Sequence, residues 1–228
     1  VTGITGVLDK PALPWAAAKE TALWALHHRD DVANLGEQPW LDAATRAHRD
    51  VWNSKRDRGT NLHGHAEQLI RTGYTDAPAE QLALVESAAD FLDRWDVQPV
   101  WTETSVYHDV YTYAGRLDLI AELGDGLAWL LDFKTGSGVY PEMALQAAGY
   151  RFATHLVAET DAGTHDVDMP PVDRVGIVHV RPDGWDLHPI TAGDAEFAAF
   201  LACKTAFHFT KRDAGDLVSA PLPHPEVA

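Results

Sequence analysis

The stretch Gly115–Gly136, GRLDLIAELGDGLAWLLDFKTG, sets two short apolar runs on either side of Gly124-Asp125-Gly126. Alternating apolar residues flanking a GDG turn are the pattern of a β-hairpin. Asp118 lies inside the first run, and the second closes on Asp132-Phe133-Lys134. Alternate residues of a strand share a face, so Asp132 and Lys134 project together. Buried carboxylates and a buried lysine are unfavourable unless something pairs them. Either neighbouring cations do so, Arg116 for Asp118 and Lys134 for Asp132, or a bound metal ion does.

Outward from the hairpin, the pattern of the chain changes once. Before it, Pro11 and Pro14 precede a helical run from about Trp15, and residues 39–73 read as helix with a break near Asp57-Arg58-Gly59-Thr60. Thr60 is the expected N-cap of the second piece and Gly73 its stop signal. Residues 78–95 form a further amphipathic helix with Leu82, Val85, Ala89 and Leu92 on its apolar face. Residues 97–136 are rich in β-branched and aromatic residues, enough for two to four strands. Residues 140–157 return to helix, 173–190 form a hairpin turning at Pro182-Asp183-Gly184, and 192–212 form a late helix. The chain opens with a short β-like segment, and its end has the composition of a loose tail. The expected architecture is a single α/β domain over 1–228, with a mainly helical part at 1–95, a sheet-containing core at 96–212 and a tail at 213–228.

The chain has 228 residues and is 46% hydrophobic, enough for one α/β core. Nothing approaches the roughly 18 consecutive apolar residues of a membrane span, and the start lacks signal-peptide character. Val1 stands where a Met would open a complete chain, which leaves room for a preceding segment. Cys203, the only cysteine, rules out an internal disulfide, a four-cysteine zinc site and an all-cysteine iron–sulfur cluster. No GxxxxGK[ST] sequence is present, so no ATP site is expected. A net charge of −16 argues against tight, nonspecific binding of a phosphate backbone by the chain alone. It leaves open a divalent metal that bridges acidic protein to acidic substrate.

Four features follow in order: RGTNLH at Arg58–His63, GRLD at Gly115–Asp118, DFK at Asp132–Lys134 and QAAGY at Gln146–Tyr150, with Glu103 ahead of the hairpin. Together they resemble the RecB-like branch of the PD-(D/E)XK nuclease superfamily, over roughly His63–Tyr150. Asp-x-Lys alone is weak; the ordered set, with its Gln-x-x-x-Tyr, is what makes the likeness specific. The resemblance implies a restriction-endonuclease-like core, a central mixed β-sheet flanked by helices, with an N-terminal helical layer. It also implies a hydrolase of DNA, an exonuclease rather than an endonuclease, in phage or bacterial recombination, repair or replication. With Cys203 alone the chain is closest to the phage-type members that lack the iron–sulfur cysteines of CRISPR-associated and helicase-linked relatives. Implied partners are linear DNA, single- or double-stranded, and a helicase, recombinase or single-strand-binding protein. A cytoplasmic setting, that of the bacterial host if phage-encoded, completes the expectation, with no membrane and with the oligomeric state left open.

The chemistry explains the residue types independently. Hydrolysing a phosphodiester requires charge neutralisation on the phosphate, an activated water and help for the leaving oxygen. Oxygen ligands suit Mg²⁺ or Mn²⁺, and Asp118 and Asp132 on adjacent strands supply carboxylates at one end of a sheet. By the family pattern His63 and the Phe133 carbonyl join them as ligands, and Lys134 orients or activates the attacking water. Gln146 and Tyr150, at i and i+4 of a helix, share a face and are expected to position substrate or site. Glu103 matches an acidic position of relatives without an assigned role. Two alternatives stay open: a catalytically silent nuclease-fold module that binds DNA or a replication partner, and a zinc hydrolase drawing on His27, His28, His63 or His65.

Overall fold

The computed structural model describes residues 2–8, 12–160, 163–213 and 219–220. Its centre is an eight-stranded mixed sheet: β1 Thr2–Gly3, β2 Gln98–His108, β3 Tyr113–Glu122, β4 Ala128–Lys134, β5 His155–Thr160, β6 Gly163–Asp168, β7 Arg174–Arg181 and β8 Gly184–Pro189. The order is β6-β5-β2-β3-β4-β7-β8, and β1 pairs with β3 in parallel. The β3–β4 hairpin turns at the GDG, as its alternation predicts, with Leu119↔Leu131 to Glu122↔Ala128 paired. β4 lies in the middle, antiparallel to β3 and parallel to β7. Both its edges are therefore paired, both its faces carry helix-packed cores, and Trp129 to Phe133 are all buried.

Helices cover both faces. α1 Ala12–His27, α2 Val32–Leu35, α3 Glu37–Thr72 and α4 Leu82–Arg94 precede β2, α5 Glu142–Arg151 follows β4, and α6 Asp194–His208 follows β8. One core joins Ile120 and Leu130 of the sheet to Ala147, Ala148 and Tyr150 of α5 and Phe200 of α6. The other joins Leu119, Trp129, Leu131, Phe133 and Val178 to Leu62 of α3 and to Leu84, Val85, Ala88 and Phe91 of α4. Strand alternation thus places Asp132, between Leu131 and Phe133, on the α5 side. The sheet is not confined to residues 96–212, since β1, from the first residues, pairs with β3.

Several expectations need correction. Residues 37–72 form one helix of 36 residues without a break, so Thr60 is no N-cap. The Gly59 penalty of about 1 kcal/mol is offset by packing along the helix, where Ala44, Ala47, Leu62 and Ala66 are buried. Gly73 does end the helix, with φ 70° and its N–H returning to the Leu69 carbonyl. α4 begins at Leu82, which is exposed, and its buried face is Leu84, Val85, Ala88 and Phe91 rather than one containing Leu82 and Ala89. The helix expected over 140–157 stops at Arg151, because His155–Thr160 pairs with β2 and β6. β6, polar and almost wholly exposed, carries no alternation that would reveal it. The tail lies almost entirely outside the described residues, as do the side chains of Trp52 and Lys55 to Thr60. No helix among the described residues is long and apolar enough to cross a membrane.

Candidate active site

Three carboxylates form a row across three strands. Continuing the Leu119↔Leu131 register by one residue sets Asp118 against Asp132. The β2–β3 register, Thr102↔Leu119 and Thr104↔Leu117, sets Glu103 against Asp118. Both ladders break at this row. β3 and β4 part beyond Leu119↔Leu131, and the Phe133 N–H donates to Asp118 Oδ2 at 2.7 Å. On β2 the Glu103–Asp118 pair drops out of a register otherwise kept from Trp101↔Ile120 to His108↔Tyr113, and the φ of Glu103, 48°, is left-handed in the middle of the strand. A non-glycine residue in that region is uncommon, and such strain persists only where its surroundings over-determine it.

Other elements bring cations to this row. α3 delivers His63, whose Nδ1 lies 3.2 Å from Asp118 Oδ2 and 3.4 Å from Glu103 Oε1. Arg116, two residues before Asp118, donates from Nε to Glu103 Oε2 at 2.8 Å. Arg116 thus pairs with Glu103 and not with Asp118, the partner it would have if neighbouring cations alone paired the aspartates. Lys134 ion-pairs with Asp132 Oδ2, and Asp132 is 3% exposed. Gln146 Nε2 donates to Asp132 Oδ1 at 3.0 Å and contacts the Tyr150 hydroxyl at 3.2 Å. Gly115 lets this helix approach, since a Cβ there would lie 2.7 Å from Tyr150 Cε1 and 2.8 Å from Ile4 Cδ1.

The charges are strongly coupled. Burial pulls the His63 imidazolium down, but hydrogen bonds to Asp118 and Glu103 and the charges of both aspartates outweigh it and raise its pKa to about 10. Burial, then the Asp118 charge, push Asp132 up to about 6 against the opposing pull of Lys134 and His63. Burial opposes the Lys134 ammonium, yet Asp132 and Asp118 hold its pKa above the usual lysine range. Burial would also raise Glu103, but His63 and Arg116 together hold it below the usual carboxylate range. Three carboxylates, Glu103, Asp118 and Asp132, thus face the side chains of His63, Lys134 and Arg116.

Of the residues expected at the site, His63, Glu103, Asp118, Asp132, Lys134, Gln146 and Tyr150 converge through these contacts, and Phe133, expected through its carbonyl, enters through its backbone N–H. His63, Glu103 and Asp118 present ligand atoms within 4.8 Å of one another. Asp132 stands beside them, held by Lys134 and Gln146. The zinc alternative finds no such convergence: His65 bonds the Thr75 hydroxyl at 2.8 Å, and His28 bonds the Trp24 carbonyl. A second grouping, His179, Asp186 and His188, was not anticipated. Its signal was the alternation of β7 and β8, which places the three on one face.

Next to Glu103 a cleft of about 670 Å³ opens between β2 and β5, which pair only at Val106↔Leu156 and Tyr107↔His155. Arg71 and Arg116 line it against Glu67, Glu103 and Glu159, so it is net acidic. No protein-family model and no curated protein matches the chain.

Proposed function

We propose that the chain is a metal-dependent deoxyribonuclease of the RecB-like PD-(D/E)XK kind, built on a restriction-endonuclease-like core. The observation that carries this reading is the row Glu103–Asp118–Asp132, with His63 at one side and Lys134 at the other. A silent module has no chemical reason to bury an aspartate at 3% exposure beside two further carboxylates and a lysine. The donor set fits Mg²⁺ or Mn²⁺: three clustered carboxylates with hard oxygens and one imidazole. His63, Glu103, Asp118 and Asp132, with the Phe133 carbonyl, would hold the ion. When bound, it would neutralise phosphate charge and acidify a coordinated water.

The chain's own residues supply the rest. Lys134, oriented by Asp132, offers N–H donors to the attacking water and to the developing charge on the phosphate. Gln146 fixes Asp132 Oδ1 and so keeps Oδ2 towards Lys134. Tyr150 meets the same Gln146 amide and completes the support from α5. The acidity of the cleft and of the whole chain means that DNA is held through the metal and through basic partners such as a helicase, a recombinase or a single-strand-binding protein. An exonuclease in phage or bacterial recombination, repair or replication is the form we favour, on the likeness of the ordered motifs.

The test is digestion of end-labelled linear and covalently closed DNA, single- and double-stranded, with Mg²⁺ or Mn²⁺, beside Lys134→Ala. Loss of linear DNA, survival of closed circles and a dead variant support the exonuclease. Undiminished cutting by Lys134→Ala removes the mechanism. No cutting together with no calorimetric Mn²⁺ binding favours the silent module.

A further inference from the structure

We propose that His179 is a positioning residue for Lys134, acting through the Gly136 carbonyl. The inference rests on the nuclease reading of Lys134. β4 ends at Lys134, and its last pairing with β7 is Lys134↔His179. Residues 135–140 then run without regular structure, so what fixes the lysine's exit from the sheet is side-chain hydrogen bonding.

His179 supplies it. The side chain is 7% exposed, and in-register pairing places it on the same sheet face as Lys134. Nε2 lies 2.8 Å from the Gly136 carbonyl, and Nδ1 lies 3.2 Å from Arg181 Nη1. A guanidinium has donors only, so Nδ1 accepts and the ring proton sits on Nε2, where it is donated to Gly136. Arg181 Nη1 in turn donates to Asp186 Oδ2 at 2.7 Å, directly opposite His179 in the β7–β8 hairpin. The chain Asp186–Arg181–His179–Gly136 thus fixes a tautomer, and the tautomer fixes the backbone two residues beyond the lysine. His188 is near, with ring centroids 6.3 Å apart, and the grouping with Asp186 has metal-ligand composition. Arg181 already occupies the position between His179 and Asp186 and bonds both, which makes the cluster a relay rather than a second metal site.

His179→Phe keeps a ring and removes the donor, and His179→Gln restores a donor near Nε2. The Phe variant is expected to lose about 10- to 100-fold in kcat on linear DNA, with KM and Mn²⁺ affinity unchanged, while Gln recovers most of the loss. Amides of residues 134–138 should exchange with deuterium faster in the Phe variant and not in Gln. A wild-type kcat in the Phe variant, unchanged exchange, or a Gln variant as impaired as Phe would each overturn the proposal. If the wild type cuts no DNA, the nuclease reading fails by itself, and the exchange comparison still decides whether His179 anchors this segment. Should the Phe variant not fold, Arg181→Met removes the tautomer lock from a partly exposed position and is expected to raise exchange over the same amides; unchanged exchange there also overturns the proposal.

Discussion

Glu103 adopts φ 48° within β2, at the residue where the β2–β3 ladder skips from Thr102↔Leu119 to Thr104↔Leu117. Comparing Glu103→Ala with Glu103→Gly isolates the backbone, because both remove the carboxylate that bonds His63 and Arg116. In the left-handed region a Cβ costs about 1–2 kcal/mol. Glycine's greater freedom in the unfolded chain gives back roughly 0.5–1 kcal/mol. Glu103→Gly is therefore expected to be the more stable of the two by about 1 kcal/mol, or about 2–4 °C in melting temperature for a domain of this size. The sign is the test, since at an ordinary strand position glycine falls below alanine by roughly 0.5–1 kcal/mol. Thermal and urea denaturation of both metal-free variants, followed by circular dichroism, give the difference. Calorimetry should find Mn²⁺ affinity reduced in both alike. If Glu103→Ala equals or exceeds Glu103→Gly in stability, the strand is not strained at this residue, and the argument that the site holds Glu103 there collapses.

Three further outcomes are expected. Because His63 is raised from 6.5 to about 10 by its carboxylate partners, the stability it contributes is complete below pH 6.5 and is lost as pH rises towards 10. Melting in EDTA should show this decline, and Mn²⁺ or His63→Ala should flatten it. Gly115→Ala drives a Cβ to within 2.7 Å of Tyr150 Cε1, and should cost about 1–3 kcal/mol in urea denaturation by overpacking. Gln146→Leu leaves Asp132 Oδ1 without its donor and is expected to lower kcat by roughly 100-fold, whereas Tyr150→Phe, which keeps the ring, should leave most activity; equal losses in steady-state digestion would count against the assigned support.

Much of the site is readable from local spacing. Asp132 and Lys134 share a face because strand side chains alternate, and Gln146 and Tyr150 share one because a helix turns every 3.6 residues. The GDG turn set the hairpin register, and that register placed Asp118 opposite Asp132. Elsewhere local rules misled. The Asp57–Thr60 stretch has the residues of a helix break, but continuous packing at Leu62 and Ala66 carries α3 through it. His155–Thr160 continues a helical pattern, but becomes β5 because β2 and β6 offer ladders on both sides.

Sequence by itself determined the two-period organisation of the chain, the β3–β4 hairpin, the residue types of the site and the order in which they occur. These depend on neighbours a few residues apart, whose geometry is set by backbone sterics. The structure alone decided that Glu103 is twisted into the row, that Arg116 pairs with it rather than with Asp118, and that His179 reaches Gly136. Those contacts depend on how β2, β3, β4 and β7 register against one another and on a histidine arriving from α3. Register and helix placement are set by two hydrophobic cores drawn from the whole chain, and no local window contains them.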